Sequence, residues 1–95
     1  MSYSLAFVDS ALKEWRKLAP SIRDQFKKKL AERMQHPRVP SAKLHNMPDC
    51  YKIKLRTVGY RLVYQVDDNV VVVTVIAVGK RDQLRAYRAA RDRIE

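Results

Sequence analysis

Glycine, proline and cysteine are scarce in this 95-residue sequence, which holds two, four and one of them respectively. So few glycines and prolines leave little room for linkers, and this length suits one domain with a modest core. Cys50, the lone cysteine, has no partner within the chain, so no internal disulfide is expected and a reducing, cytosolic setting suits it. Acidic residues number only ten and are scattered, and His36 and His45 sit in a proline-bounded loop where they read as surface or capping side chains. Neither a metal site nor a carboxylate acid–base pair is therefore expected, and no cofactor. No glycine-rich phosphate loop is present. The longest apolar run, Val70 to Val78 with Thr74 inside it, is too short to cross a bilayer as a helix. Met1-Ser2-Tyr3-Ser4-Leu5 lacks the basic start and apolar stretch of a signal peptide.

What the chain has in excess is positive charge. Twenty Lys and Arg against ten Asp and Glu give a formal net charge of +10, which points to a polyanionic partner, either nucleic acid or an acidic protein. A membrane surface fits less well, because the cations are spread along the chain rather than gathered on one amphipathic helix.

The stretch Cys50 to Val66 organises the rest. Tyr51, Ile53 and Leu55 alternate with Lys52, Lys54 and Arg56, the period of a half-buried strand. Its open face would carry three cations, each about 7 Å from the next by the strand rise. Thr57-Val58-Gly59 supplies a turn in which the glycine can take positive φ. A second strand then returns with Tyr60, Leu62, Tyr64 and Val66 on one side and Arg61 on the other. Depending on register, Arg61 can join Lys52 and Lys54. A solvated basic face that only aids solubility would account for one such strand.

Before this hairpin, Ser2 to Val8 reads as a strand, and Asp9 or Ser10 as the cap of a helix bearing Leu12, Trp15 and Leu18 on one face. Pro20 opens a second helix, with Ser21 and Asp24 resembling a capping box and Ile22, Phe26, Leu30 and Met34 forming an apolar stripe. Its other face carries Arg23, Lys27, Lys28, Lys29 and Arg33. After the hairpin, Asp67-Asp68-Asn69 signals a turn. Val70 to Ile76 is β-branched and apolar on both faces, so it reads as a central strand that Gly79 ends. Arg81 to Arg93 reads as a last helix with Leu84, Tyr87 and Ile94 inward and an arginine-rich surface that includes Arg85. The expected fold is therefore α+β, one small domain of order βααβββα. A helical hairpin packs on a largely antiparallel four-stranded sheet, with a C-terminal helix. The first strand pairs with the free edge of the valine strand.

Cationic chemistry on a phosphate remains. RNA carries its own nucleophile, the 2′-OH. Cleavage needs that proton removed, charge on the phosphorane stabilised and the departing 5′-oxygen protonated. Neighbouring positive charge and partial burial lower a lysine's pKa and make it a usable base. Lys52, Lys54 and Arg61 fit such a site, with Arg81 at the end of the central strand. Tyr87 fits either stacking on a base or packing beneath the last helix. Cys50 has no partner base and reads as core.

Three segments, Met47 to Arg56, Gly59 to Tyr64 and Val78 to Arg81, together with Ala11 to Leu18, resemble the RelE toxins of bacterial toxin–antitoxin systems, within the wider RelE/ParE superfamily. The resemblance spans essentially the whole chain, 1–95, as a single RelE-like domain. It implies a ribosome-dependent endoribonuclease that cuts mRNA in the ribosomal A site without metal, leaving a 2′,3′-cyclic phosphate and a 5′-hydroxyl. It further implies that Lys52 and Lys54 serve the nucleophile side, Arg61 and Arg81 bind the scissile phosphate, and Tyr87 stacks on an mRNA base. Lys27, Lys28, Lys29, Arg56 and Arg85 would contact RNA or the ribosome. Some relatives place a Glu and a His in the site; this chain has neither in the matching segments and sides with the lysine-based branch. The implied partners are the ribosome, mRNA and a RelB-like acidic antitoxin, with the toxin monomeric alone and hetero-oligomeric with its antitoxin. Two other readings are a ParE-like gyrase-inhibiting toxin and a non-catalytic basic RNA- or ribosome-binding module.

Overall fold

A computed structural model describes residues 2–80 and 85–94. In chain order it contains β1 (Ser4–Phe7), α1 (Asp9–Arg16), α2 (Pro20–Gln35), a 3-10 turn (Pro40–Ala42), β2 (Cys50–Leu55), β3 (Tyr60–Asp67), β4 (Val72–Lys80) and α3 (Arg85–Ile94). The four strands form one mixed sheet of order β1-β4-β3-β2. β1 runs parallel to β4, from Ser4 opposite Val72 to Phe7 opposite Val75, and the other two ladders are antiparallel. This is the expected βααβββα order, with the valine strand in the interior of the sheet and covered on both faces.

On one face, Ala11 and Leu18 of the α1 layer and Ile22, Phe26 and Leu30 of α2 are buried against Tyr51, Ile53, Leu55, Leu62, Tyr64 and Val75. The two helices meet through Trp15, whose ring lies 6.2 Å from that of Phe26 and 5.3 Å from that of Phe7. Of the α2 stripe, Ile22, Phe26 and Leu30 are buried, and Met34, in the last turn, is only partly so. In α1 the fully buried residue is the small Ala11, whereas Trp15 packs at the margin of the core. α3 covers the opposite face, with Ala90 fully buried and Tyr87 and Ile94 partly so, over Cys50, Val63, Ile76 and Ala77.

Both expected helix caps are corrected. Val8 precedes α1 without any side-chain cap, and Asp9 lies inside the first turn, where its carboxylate complements the positive end of the helix dipole. Ala19 precedes α2, so Ser21 and Asp24 make no capping box; Pro20 at the first position has no N–H to satisfy. The valine strand also begins later than expected. Asn69 N–H donates to Asp67 Oδ1 at 2.9 Å, and the turn it starts continues through Val70 and Val71. Val70 is exposed and Val71 takes φ +58°, a left-handed conformation that β-branched residues disfavour. At the other end β4 runs through Gly79 to Lys80 rather than stopping there.

Within β4 the register shifts. Val63 faces Ala77 and Tyr64 faces Val75, so Ile76 is an extra residue. Ile76 and Ala77 both turn toward α3, and the shift brings Gly79 opposite Arg61. Two backbone groups beyond the end of β1 find side-chain partners instead of a strand. Val78 N–H donates to Glu14 Oε1 (3.1 Å), and Ile76 carbonyl accepts from Arg93 Nη1 (2.6 Å). Glu14 and Arg93 pair directly at 2.9 and 3.2 Å, so α1 and α3 are clasped across the uncovered part of the β4 edge.

Candidate active site

β2 is an edge strand, and its alternation sends Tyr51, Ile53 and Leu55 into the helical layer while Lys52 and Lys54 stand half-buried on the α3 side. Gly59, at φ +71°, closes the turn, and its N–H donates to Leu55 carbonyl at 2.8 Å. The returning strand then places Arg61 directly opposite Lys54 and Val63 opposite Lys52. Directly opposed residues have Cβ atoms only about 4.5–5.5 Å apart. Across β3 from Lys54 lies Gly79, which has no side chain to crowd the two cations. A cavity of about 230 Å³ opens here, lined by Lys54, Leu55, Arg56, Tyr60 and Arg61. A second of about 240 Å³ shares Lys54 and Arg56 and adds Lys52 and Arg33.

The electrostatics follow from this crowding. The Lys54 pKa is lowered from its ordinary value, most by the charge of Lys52; partial desolvation and then Arg61 and Arg56 add to the shift. The Arg61 guanidinium carbon lies 5.0 Å from the centre of the Tyr87 ring, a cation–π contact that holds the side chain under α3. Arg61 Nε and the Tyr87 hydroxyl are buried and have no hydrogen-bond partner among the described residues. Burial raises the Tyr87 phenol pKa, with Arg61 opposing it. Buried polar atoms are almost always satisfied, so two such atoms beside several cations are what an anion-binding site would contain.

Four of the expected residues, Lys52, Lys54, Arg61 and Tyr87, thus come together, and Arg56 joins them from the turn. Arg81 lies outside the described residues. Arg85 is the first residue of α3, and its side chain lies outside the described part. Lys27, Lys28 and Lys29 are exposed on α2 and line neither cavity. Cys50 is buried, and desolvation, then Asp49, pushes its thiol up to about 11, so it remains a protonated core residue at neutral pH. Sequence reasoning missed two residues. Alternation puts Tyr60 on the same side of β3 as Leu62 and Tyr64, yet as the first residue of the strand it is only half-buried and lines the cavity. Arg33 was assigned to the solvated face of α2, yet it is part-buried and reaches β2. Its place beside Leu30 and Met34, at the flank of the apolar stripe, is the signal that could have shown it.

Comparison with known proteins bears on this arrangement. The profile of the family described as "ParE toxin of type II toxin-antitoxin system, parDE" matches residues 5–85. The chain is 58% identical over 94 residues to the mRNA interferase toxin RelE of Escherichia coli K12, covering 99% of each chain. Among solved structures, an arginine double mutant of E. coli toxin RelE in the free state superposes with a TM-score of 0.92 at 57% identity, with 100% of both chains covered. The intact E. coli RelBE toxin–antitoxin complex gives 0.83 at 60% identity, covering 86% of this chain and 100% of that one.

Proposed function

The chain belongs to the RelE/ParE family of type II toxin–antitoxin toxins, and from that premise we propose that it is an mRNA interferase of RelE type, neutralised by a cognate antitoxin. The observation that carries this reading is the cross-strand pairing of Lys54 with Arg61 beside Lys52, in a cavity that no carboxylate among the described residues lines. A lowered lysine pKa increases the fraction of free amine available as a base. In the proposed reaction Lys54 Nζ takes the proton of a 2′-OH, the O2′–P bond forms, and the P–O5′ bond breaks. The products are a 2′,3′-cyclic phosphate and a 5′-hydroxyl, and the departing oxygen takes a proton from the surrounding cationic groups. Arg61 offers its fixed guanidinium to the charge that develops on the phosphorane, with Arg81 proposed beside it. Tyr87 first holds Arg61 in place; stacking on a base would use the ring surface that Arg61 leaves uncovered.

Lysines are a weak acid–base apparatus, so the substrate must be held accurately, and positioning can supply about 7–11 kcal/mol of a barrier. The ribosomal A site would supply it, with Lys27, Lys28 and Lys29 as contacts to ribosomal RNA. A cytoplasmic site of action follows from that substrate, and among the described residues no helix is long and apolar enough to cross a membrane. The partner antitoxin should be acidic, offsetting the +10 charge. A gyrase-inhibiting binder of ParE type has no need of this lysine–arginine set.

The test is to map 5′ ends of transcripts after induction and to compare cleavage of free and ribosome-bound message. Codon-internal cuts made far faster on the ribosome are expected. A DNA-damage response without such cuts, or equal rates on naked RNA, would overturn the proposal.

A further inference from the structure

β2 leaves one edge of the sheet, and a groove beside it carries four cations. It is the cavity of about 240 Å³ lined by Arg33, Ser41, Ala42, Lys52, Lys54 and Arg56. Among the described residues no acidic side chain lines it, and none of the salt bridges involves any of the four. Like charges gathered without a counter-ion repel one another, so an anion in the groove would relieve that repulsion.

Arg33 is the informative residue. Its Nη1 donates to Lys52 carbonyl (3.1 Å) and to the Tyr64 hydroxyl (2.9 Å), and its guanidinium carbon lies 5.8 Å from the Tyr64 ring centre. Tyr64 is itself fixed: its hydroxyl donates to Pro37 carbonyl at 2.6 Å, and its ring stacks on Tyr51 at 5.7 Å. One nitrogen therefore anchors the guanidinium, while Nε and Nη2 make no hydrogen bond to any described residue. A planar fork held in advance, with its second edge free, is the geometry that binds a phosphate through two parallel hydrogen bonds at little entropic loss.

We propose that this groove is a second phosphate site, which takes the phosphodiester of the message next to the one that is cut. The inference rests on the mRNA interferase reading above. Lys54 and Arg56 line both cavities, so the groove continues the active site rather than standing apart from it. Lys52 and Lys54 are two strand positions apart, about 7 Å by the strand rise, a step comparable to one nucleotide of extended backbone. A polyanion with a charge on every nucleotide fills both cavities at once; a small anion fills one. A purely structural role for Arg33, blunting the exposed β2 edge at Lys52 carbonyl, uses Nη1 alone and leaves the cationic lining without a purpose.

The experiment uses ribosomes programmed with messages that each carry one neutral methylphosphonate linkage within three positions of the cleaved bond. The readouts are the half-saturating toxin concentration and the single-turnover rate for wild type, Arg33→Gln and Arg33→Lys. Neutralising one particular linkage should raise the wild-type half-saturating concentration by about ten-fold or more, as expected for a hydrogen bond to a charged group. Arg33→Gln should show a similar rise on the all-phosphate message and no further rise when that linkage is neutral. Should Arg33→Gln be too unstable to assay, Arg33→Lys keeps one donor for Lys52 carbonyl, lacks the fork, and is read in the same way. An equal loss for the variant on every message, with no linkage coupled to it, overturns the proposal and assigns Arg33 to ribosomal RNA or to the strand edge. So does a loss confined to antitoxin binding. A wild-type protein that cuts no message overturns both readings, whereas uncoupled cleavage overturns only this one.

Discussion

Removing Glu14 should loosen α3, and through it Arg61, which packs against Tyr87. The side chain accepts from Val78 N–H at 3.1 Å and pairs with Arg93 at 2.9 and 3.2 Å, while Arg93 also holds Ile76 carbonyl. Exposed ion pairs contribute only ~0.2–1 kcal/mol. This pair is less exposed, at 23% and 33% for the two side chains, and each partner also satisfies a backbone group that the β4 irregularity leaves without a strand. Hydrogen bonds to charged groups contribute about 1.5–3 kcal/mol, so Glu14→Ala should destabilise by roughly 2–3 kcal/mol. For a domain of this size that is a fall in Tm of roughly 8–24 °C. Glu14→Gln keeps an oxygen for Val78 N–H and should lose about half as much. Urea unfolding of Glu14→Ala, Arg93→Met and the double variant gives the coupling energy, expected at about 1–2 kcal/mol for residues in direct contact. Amide exchange should quicken in α3 before it does in β3. Because Tyr87 of α3 holds Arg61, the cleavage rate should fall with α3 protection, even though Glu14 is far from the reacting atoms in sequence and on another helix. Additive single losses, with α3 exchange unchanged, would refute the clasp.

Three further outcomes follow from individual residues. Arg61→Ala should keep the fold and ribosome affinity but lower single-turnover cleavage by about 10²–10³, the usual range for removing one donor to a developing charge; an unchanged rate at saturating toxin would remove Arg61 from the chemistry. Neutralising Lys27, Lys28 and Lys29 together should flatten the salt dependence of ribosome association, and should leave the rate on preformed complexes nearly intact. Val71→Gly should raise the unfolding free energy by about 1 kcal/mol, because the left-handed conformation at φ +58° is disfavoured for a β-branched residue and free for glycine; a lower urea midpoint would show that lost packing or chain entropy outweighs the strain.

How much could be read in advance differs by residue. The alternation of Tyr51, Ile53 and Leu55 with Lys52 and Lys54 was legible because a half-buried strand imposes a period of two on side-chain polarity. Gly59 marked the turn by which β3 returns, but the register stayed open in the sequence, and the pairing of Lys54 with Arg61 came from the structure. The run from Val70 to Val78 has no such period. Apolar on both faces, it shows neither where β4 begins nor that Ile76 is an extra residue, and Val70 and Val71 went to the turn after Asp67-Asp68-Asn69 despite their β propensity. Ser21 with Asp24 matched a capping pattern, but Pro20 started α2 one residue earlier. Arg33 and the Glu14–Arg93 pair were illegible for a different reason: each depends on partners 19 to 79 residues away, which only the assembled sheet brings near. Charge composition narrowed the substrate to a polyanion; the choice of mRNA came from the family resemblance and not from any spacing.

The pH dependence of single-turnover cleavage on ribosome-bound message, for wild type, Lys52→Ala and Lys54→Ala, tests the proposed chemistry most directly. In the proposed reaction the free amine of Lys54 is the active form, so the rate should rise with pH as Lys54 loses its proton. Lys52 is the largest cause of the lowered Lys54 pKa. Its removal should move that rise to higher pH and reduce the rate near neutrality, while the rate approaches wild type in alkali if Lys52 acts only through Lys54. Lys54→Ala should abolish the rise and lose about 10²–10⁴ in rate. An identical profile for wild type and Lys52→Ala, or a Lys54→Ala protein that keeps the rise, would contradict the assignment of Lys54 as the base.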